Sequence, residues 1–380
     1  MKKCVSFFIL LFILLSHPFS AFAAAPSVNA AGAILIDAKT GRVLWAKNAV
    51  LPLAVASTTK IMTAILTLEN ANLNDIVTVS SRAANQPKVK MYLAEGETVN
   101  LKDLLYALML QSSNDAAVAI AEHVGGSVEN FCAQMTERAK ELGAGDTVFE
   151  TPNGLDKGNH HSTAYDMALI TRHALTVDGF TEIINTPSVS VTSSRRTYEI
   201  TNLNRFLHEY NGAIGVKTGF TSKAGHCFVG AAKRGDMQLI SVVLASGWGT
   251  RGREQKWRDT KQILNYGFDF FEYKDIIKEG DLLGQVLVTR SKTETLPLRF
   301  AEGFQAITDG GETITITWEA AGQLKAPVKK GVWAGVAKIY ADNQLLGEVK
   351  LLTAKQAQRH DFKTSCEKIF KAFADTTATK

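Results

Sequence analysis

Cysteine is scarce in this chain, with four among 380 residues. Cys4 lies in an apolar leader, which leaves Cys132, Cys227 and Cys366. That odd remainder, with no C-x-x-C spacing, excludes a disulfide framework and a zinc site and predicts buried free thiols. Low-complexity tracts are absent. The net charge of +5 is spread along the chain, with no basic stripe interleaved with aromatics, so nucleic acid is excluded as a partner. The mild basic excess suits loose attraction to an anionic envelope surface. The leader's one long apolar run, Val5 to Leu15, is too short to span a bilayer comfortably. Lys2 and Lys3 precede it, and the small residues of Ala21-Phe22-Ala23 follow. This order predicts a signal peptide over residues 1–23, cleaved after Ala23. Cleaved or kept as an anchor, it places the remainder outside the cytoplasm, secreted, in the cell wall or at the outer membrane face.

What is present is a globular composition, 46% hydrophobic and 21% charged, with room for about two domains. The stretch GAILIDAKTGRVLWAKN sets two β-rich runs around a turn at Gly41, a hairpin. STTKIMTAILTLEN repeats apolar residues at Ile61, Ala64, Ile65 and Leu68, a helical period. LKDLLYALMLQSSNDAAVAIAEHVGG is helical on both sides of a polar break at Gln111–Asn114. SVENFCAQMTERAKELG reads as a helix closed by Gly143, and STAYDMALITRHAL as one N-capped by Ser162 or Thr163. After Tyr210 come three strands with turns at Gly225 and Gly235, then the helix REQKWRDTKQILNYGFDFF. Beyond it, short strands separated by Gly, Asp and Asn turns predict a separate all-β domain. The expected division is 24–273 for an α+β domain, 274–353 for the β domain and 354–380 for a tail. The α+β domain has helices inserted between the parts of one antiparallel sheet. The tail holds a weakly amphipathic stretch, a poor candidate for peripheral membrane contact.

Three short motifs carry chemistry: Ser57-Thr58-Thr59-Lys60, Ser112-Ser113-Asn114 and Lys217-Thr218-Gly219. Each occurs twice. Ser365-Cys366-Glu367-Lys368, Ser27-Val28-Asn29 and Lys39-Thr40-Gly41 are the second copies, so context must discriminate. Ser57 opens a strong apolar helix, whereas Ser365 lies in a polar stretch near the end. Positions i and i+3 share a helix face, so Lys60 can reach the Ser57 hydroxyl and take its proton. Burial would depress the Lys60 pKa as that task requires. Ser112-Ser113-Asn114 sits where a helical run breaks. Gly219 permits close backbone approach to a strand.

The joint pattern resembles the penicillin-recognising serine enzymes. ASTTKIMTA, LMLQSSNDAAVAIAEHVGG, TPNGLDKGNHHSTAYDMALITRHAL, GVKTGFTSKAGHCFVGAAKR and RDTKQILNYGFDFF all resemble low-molecular-mass D-alanyl-D-alanine carboxypeptidases. The resemblance covers residues 30–275, and the β-rich region resembles the same group's C-terminal domain. It implies Ser57 as acylated nucleophile, Lys60 as general base and Ser112 as relay to the leaving amine. It further implies that Asn114 holds the substrate amide, Lys217 supports the relay electrostatically, and Thr218 meets the substrate carboxylate. The backbone N–H groups of Ser57 and Phe220, beside Gly219, would form an oxyanion hole. Arg253 resembles the family arginine that fixes the terminal carboxylate. Ser113 stands where the family commonly has glycine. The implied substrate is the pentapeptide stem of peptidoglycan, with β-lactams as covalent inhibitors and neither metal nor organic cofactor.

Other residues read as structural. His160 and His161 lack a third ligand at metal spacing and read as loop residues near the cleft. Asp166 reads as a first-turn helix acid, and Cys227 as a buried strand residue. Trp248 and Trp257 fit core or cleft wall equally. The rivals are a secreted β-lactamase on the same fold and a non-catalytic peptidoglycan or β-lactam sensor. The first lacks an evident deacylating glutamate in TPNGLDKGNHHSTAYD. The second has no need of Ser57, Lys60 and Lys217 together.

Overall fold

Small and branched residues alternate with turn-formers at the front of the chain, and the hairpin forms there as β1 (Gly32–Asp37) and β2 (Val43–Lys47). Gly41 supplies the turn with a φ of +77°. The Asp37 carboxylate accepts hydrogen bonds from the Thr40 N–H and hydroxyl. Lys39-Thr40-Gly41 is therefore a turn. The computed structural model describes residues 25–360 and Cys366. The expected leader over 1–23, and the tail motif Ser365 to Lys368 apart from Cys366, lie outside the described residues.

Three later strands, β3 (Ala213–Thr221), β4 (Gly225–Arg234) and β5 (Met237–Leu244), complete one five-stranded sheet. Its order is β2-β1-β5-β4-β3, antiparallel where β1 meets β5, with Ile34 opposite Val242. The chain thus leaves the sheet after β2 and returns at its far edge. The helices between fill one face: α1 (Lys60–Asn70), α2 (Leu101–Leu110), α3 (Asn114–Gly125), α4 (Val128–Glu141) and α5 (Ala164–Ala174). The α1 stripe of Ile61, Ala64 and Ile65 is buried among Leu104, Leu108, Ala117 and Ile120. Each such large apolar side chain stabilises the fold by about 1.5–3 kcal/mol. Ser127 caps α4 and Thr163, not Ser162, caps α5, each accepting a backbone N–H three residues on. Asp166 does more than favour the helix start. Its carboxylate accepts from the Asp146 N–H and the Thr147 hydroxyl, and burial pushes its pKa up.

The opposite face is covered by α6 (Gly249–Phe270), through a cluster of Leu35, Phe206, Phe228, Trp257 and Leu264. Trp257 belongs to this core, edge-on to Phe228 at 4.6 Å. Trp248 lies on the surface and donates its indole N–H to the Ser222 carbonyl at 2.9 Å.

An all-β unit follows: β6 (Glu272–Ile277), β7 (Leu282–Thr289), β8 (Thr295–Phe300), β9 (Phe304–Thr308), β10 (Ile314–Ala320), β11 (Leu324–Lys325), β12 (Trp333–Ala341) and β13 (Gln344–Thr353). β6 pairs with β9, and the others form a six-stranded sheet in the order β10-β12-β13-β8-β7-β11. Its own core includes Val286, Leu298, Ile339 and Leu351. Residues expected to begin a tail still pair with this unit, Ala357 with Val328 and Arg359 with Ser291.

The two units meet at the β1–β2 turn. The Tyr273 hydroxyl donates to Asp37 Oδ1 at 2.5 Å, and Arg42 bridges the Glu312 carboxylate and the Ile307 carbonyl. Asp37 is fully buried, so Tyr273→Phe would leave one carboxylate oxygen short of a donor. The expected loss is about 1–3 kcal/mol, the penalty for an unsatisfied buried acceptor. A urea titration of both proteins checks it, and equal midpoints would show the bond contributes nothing.

Candidate active site

The chain enters α1 through a 3-10 turn, Ala56–Thr59, and Lys60 is the first α-helical residue. No side chain caps either segment, so Ser57 is not a capping serine. Instead Ser57 Oγ lies 2.9 Å from Lys60 Nζ, as residues three apart on one helical face allow. Lys60 is fully buried. Its amine also donates to Asn114 Oδ1 at 2.9 Å and to the Asn153 carbonyl at 2.6 Å. No carboxylate of a described residue touches it. Asp115 is next to Asn114 but accepts the N–H groups of Met91 and Leu93. Burial holds the Lys60 pKa well below the usual lysine range, Lys217 adds to that, and Asp115 opposes it.

Two glycines shape the turn. Ala56, just before Ser57, has a φ of +48°, a strained region for a residue with a side chain. A Cβ on Gly154 would sit 1.9 Å from the Ala56 carbonyl oxygen. On the other side a Cβ on Gly219 would sit 3.0 Å from the Ser57 nitrogen. β3 and the 151–154 loop therefore press on the backbone at Ala56 and Ser57 from both sides. His160 locks the same turn. Its Nδ1 accepts from the Glu150 N–H at 3.0 Å, which makes Nε2 the protonated nitrogen facing Thr59 Oγ1 at 2.8 Å. Burial, foremost, lowers its pKa to about 4, so it is neutral at pH 7. The His161 ring hydrogen-bonds to the Asn159 carbonyl through Nδ1, and its backbone bridges to Val148.

Ser112 lies between α2 and α3 with a φ of +65°. Its hydroxyl makes no hydrogen bond with a described residue. The Ser113 hydroxyl is buried without a partner and adds nothing to the site's bonding. Asn114 opens α3, and its amide is already used at both ends, by Lys60 and by the Pro87 carbonyl at 3.1 Å. A contact with substrate would use what is left, the second N–H of its nitrogen or the second lone pair of its oxygen.

β3 is the edge strand of the sheet. Lys217 is buried on it, with Nζ 3.2 Å from the Thr218 carbonyl. Burial and then the nearby Lys256 lower its pKa to about 7. Thr218 is half-buried, and the exposed Phe220 ring packs on His226 at 4.4 Å. Arg253 projects from the first turns of α6, exposed and without a hydrogen bond to a described residue. Cys227 is fully buried, its thiol pushed up to about 11. Among the described residues, no group of three or more His, Cys, Asp and Glu is placed to hold a metal ion.

Residues outside the three motifs complete the site: Asn153 by its carbonyl, Gly154 by its missing side chain and His160 by its ring. The Asn153-Gly154 pair is a turn signal in sequence, but nothing there says that the turn abuts Ser57. The arrangement as a whole can activate a serine for acyl transfer.

The family model described as D-alanyl-D-alanine carboxypeptidase, Peptidase S11, matches residues 20–247. That of the penicillin-binding protein 5 C-terminal domain matches 271–359. D-alanyl-D-alanine carboxypeptidase DacF of Bacillus subtilis is 31% identical over 96% of this chain and 97% of its own. DacC of Escherichia coli is 33% identical over 92% and 91%. The crystal structure of penicillin binding protein 5 from Haemophilus influenzae is similar with a TM-score of 0.73 and 28% identity, over 88% of this chain and 99% of that one.

The contact at Gly219 is testable. Gly219→Ala must displace the Ser57 backbone by a few tenths of an ångström or more. Labelling by a fluorescent penicillin should slow by about a hundredfold, the scale of a misplaced reacting group, with an unchanged circular dichroism spectrum. An unchanged labelling rate would mean the turn can give way freely.

Proposed function

The chain belongs to the D-alanyl-D-alanine carboxypeptidase family of serine peptidases, and from that premise we propose the roles its residues take in the reaction. It is a serine-type D-Ala-D-Ala carboxypeptidase of the penicillin-binding type. The proposed substrate is the pentapeptide stem of peptidoglycan, met outside the cytoplasm. Among the described residues no helix is long and apolar enough to cross a membrane.

The observation that carries the assignment is the buried, carboxylate-free Lys60 amine 2.9 Å from Ser57 Oγ. A neutral amine has two N–H groups and one lone pair. Asn114 Oδ1 and the Asn153 carbonyl accept the two N–H groups. The lone pair is left facing the Ser57 hydroxyl. Ser57 Oγ attacks the carbonyl carbon between the last two D-alanines while its proton passes to Lys60. Negative charge gathers on the carbonyl oxygen, towards the Ser57 and Phe220 N–H groups. The tetrahedral adduct collapses, the C–N bond breaks, and the proton reaches the departing D-alanine nitrogen through Ser112. Water then cleaves the Ser57 ester. The charge of Lys217 helps keep Lys60 neutral before attack, and with Thr218 and Arg253 it offers a cationic setting for the substrate's terminal carboxylate. β-Lactams present a similar carbonyl and acylate the same oxygen.

Glu150, the glutamate that borders the 151–166 loop, argues against a β-lactamase. Its carboxylate accepts the Asn159 N–H at 2.8 Å, as part of the loop's own bonding. Ser57→Ala should abolish both D-alanine release from a D-Ala-D-Ala peptide and covalent penicillin labelling. Residual labelling would point to another serine.

The carboxylate reader is checked separately. Arg253→Ala should lower kcat/KM on such peptides by about ten- to a hundredfold, the scale of a charge-assisted hydrogen bond. On a substrate with an amidated terminus the same change should have little effect. Equal losses on acid and amide would remove Arg253 from carboxylate recognition.

A further inference from the structure

Asn114 and Asn153, which take the two N–H groups of the Lys60 amine, both lean on one stretch outside the three motifs, residues 86–89. The Asn114 side chain donates from Nδ2 to the Pro87 carbonyl at 3.1 Å, and its backbone N–H donates to the Val89 carbonyl at 2.8 Å. A carbonyl can only accept, so the Pro87 oxygen keeps the amide nitrogen there and turns Oδ1 to Lys60. Asn153 is held in a similar way. Its Nδ2 donates to Gln86 Oε1 at 3.0 Å, and its Oδ1 accepts the Leu155 N–H at 3.1 Å. Among the described residues, Gln86 is the partner of the Asn153 amide that lies outside Asn153's own loop.

Gln86 is itself firmly placed. It follows the short helix Ser81–Ala84, with its backbone N–H on the Ala83 carbonyl at 3.1 Å and its Nε2 on the Arg82 carbonyl at 3.0 Å. Ser80 caps that helix, and its hydroxyl donates to Glu122 Oε2 on α3 at 2.6 Å. Gln86 is thus tied to the helix that carries Asn114. What it holds lies at the centre of the site. The Asn153 carbonyl oxygen is 2.6 Å from Lys60 Nζ and 3.3 Å from Ser57 Oγ. The Ser57 proton therefore has two acceptors in reach, the Lys60 lone pair and this carbonyl. Only transfer to Lys60 frees the oxygen for attack. A displaced Asn153 carbonyl changes both distances together.

We propose that Gln86 is a positioning residue for this acylation: by holding the Asn153 amide it sets where the Asn153 carbonyl stands against Lys60 and Ser57. This rests on the roles assigned above to Ser57 and Lys60. The two side-chain bonds of Gln86 can be taken apart. Gln86→Leu removes both the acceptor for Asn153 and the donor to Arg82. Gln86→Glu removes the donor alone, because a carboxylate still accepts the Asn153 N–H. Positioning follows the acceptor, whereas an effect confined to the helix at 81–84 follows the donor.

The test has two readouts. In Gln86→Leu, acylation by a fluorescent penicillin and kcat on a D-Ala-D-Ala peptide should fall by about tenfold or more, the scale of a displaced reacting group. KM should change little, and Gln86→Glu should restore most of the rate. Each protein is measured at its own pH optimum, since a new carboxylate also favours the Lys60 ammonium. The second readout needs no reaction. Asparagine labelled with 13C at the carbonyl and glycine labelled with 15N give one NMR correlation for each Asn–Gly pair, Asn153-Gly154 and Asn211-Gly212. The first is identified by its loss in Asn153→Ser. It should move in Gln86→Leu and keep its place in Gln86→Glu, with the Asn211 signal constant in both. If Gln86→Leu does not fold, Gln86→Met carries the same expectation. An unmoved Asn153 signal or an unslowed acylation in the apolar variant overturns the proposal, as does a Gln86→Glu protein equally slow. A wild-type protein that penicillin fails to acylate would sink the assigned reaction, while the Asn153 signal still decides whether Gln86 sets that carbonyl.

Discussion

The site depends on one amine kept out of water and away from any carboxylate. Lys60 Nζ is surrounded by Ser57 Oγ, Asn114 Oδ1 and the Asn153 carbonyl, which come from the 3-10 turn, the start of α3 and the 151–154 loop. Neutral acceptors satisfy its N–H groups while stabilising its charge far less than a carboxylate would, and burial does the rest. A carboxylate in contact would reverse that balance and hold Lys60 as a cation, unfit for the proposed role of base. Asp115 is the residue that could do so. Its carboxylate is instead turned to the Met91 and Leu93 N–H groups.

Geometry this close has to be imposed by the surroundings. Ala56 and Ser112 both sit at positive φ, a conformation that costs on the order of 1–3 kcal/mol and persists only when packing over-determines it. The helical core beneath α1 supplies that packing, with Gly154 and Gly219 admitting backbone from either side and His160 bonded to Thr59. The sheet has a second task. It separates two cores and carries the buried Lys217 on its edge strand. The β unit stands away from this machinery and meets the catalytic unit through Asp37 and Arg42 at the β1–β2 turn.

Much of the fold was legible in the residues alone. Helical periods marked α1, α4 and α5, and β-rich runs between glycine turns marked β1 to β5. Local pattern suffices there because side-chain burial repeats with the element's own period. The three motifs were also readable, although each occurs twice. Lys39-Thr40-Gly41 and Lys217-Thr218-Gly219 have the same letters, and one is a turn while the other lies on an edge strand beside Ser57. Only the flanking sequence and the order of the motifs separated them before the fold did.

The sequence by itself determined the residue types that do chemistry and the i, i+3 spacing that joins Ser57 to Lys60, because a helix turn is a local object. Tertiary structure decided what each group experiences. Asn153 became an acceptor through its carbonyl, which every residue possesses and no motif can mark. His160 became a neutral strut and Lys256 a buried amine, its pKa lowered to about 8, because of what folds over them. Protonation state depends on burial and on charges far apart in the chain, and those distances exist only after the helices close on the sheet.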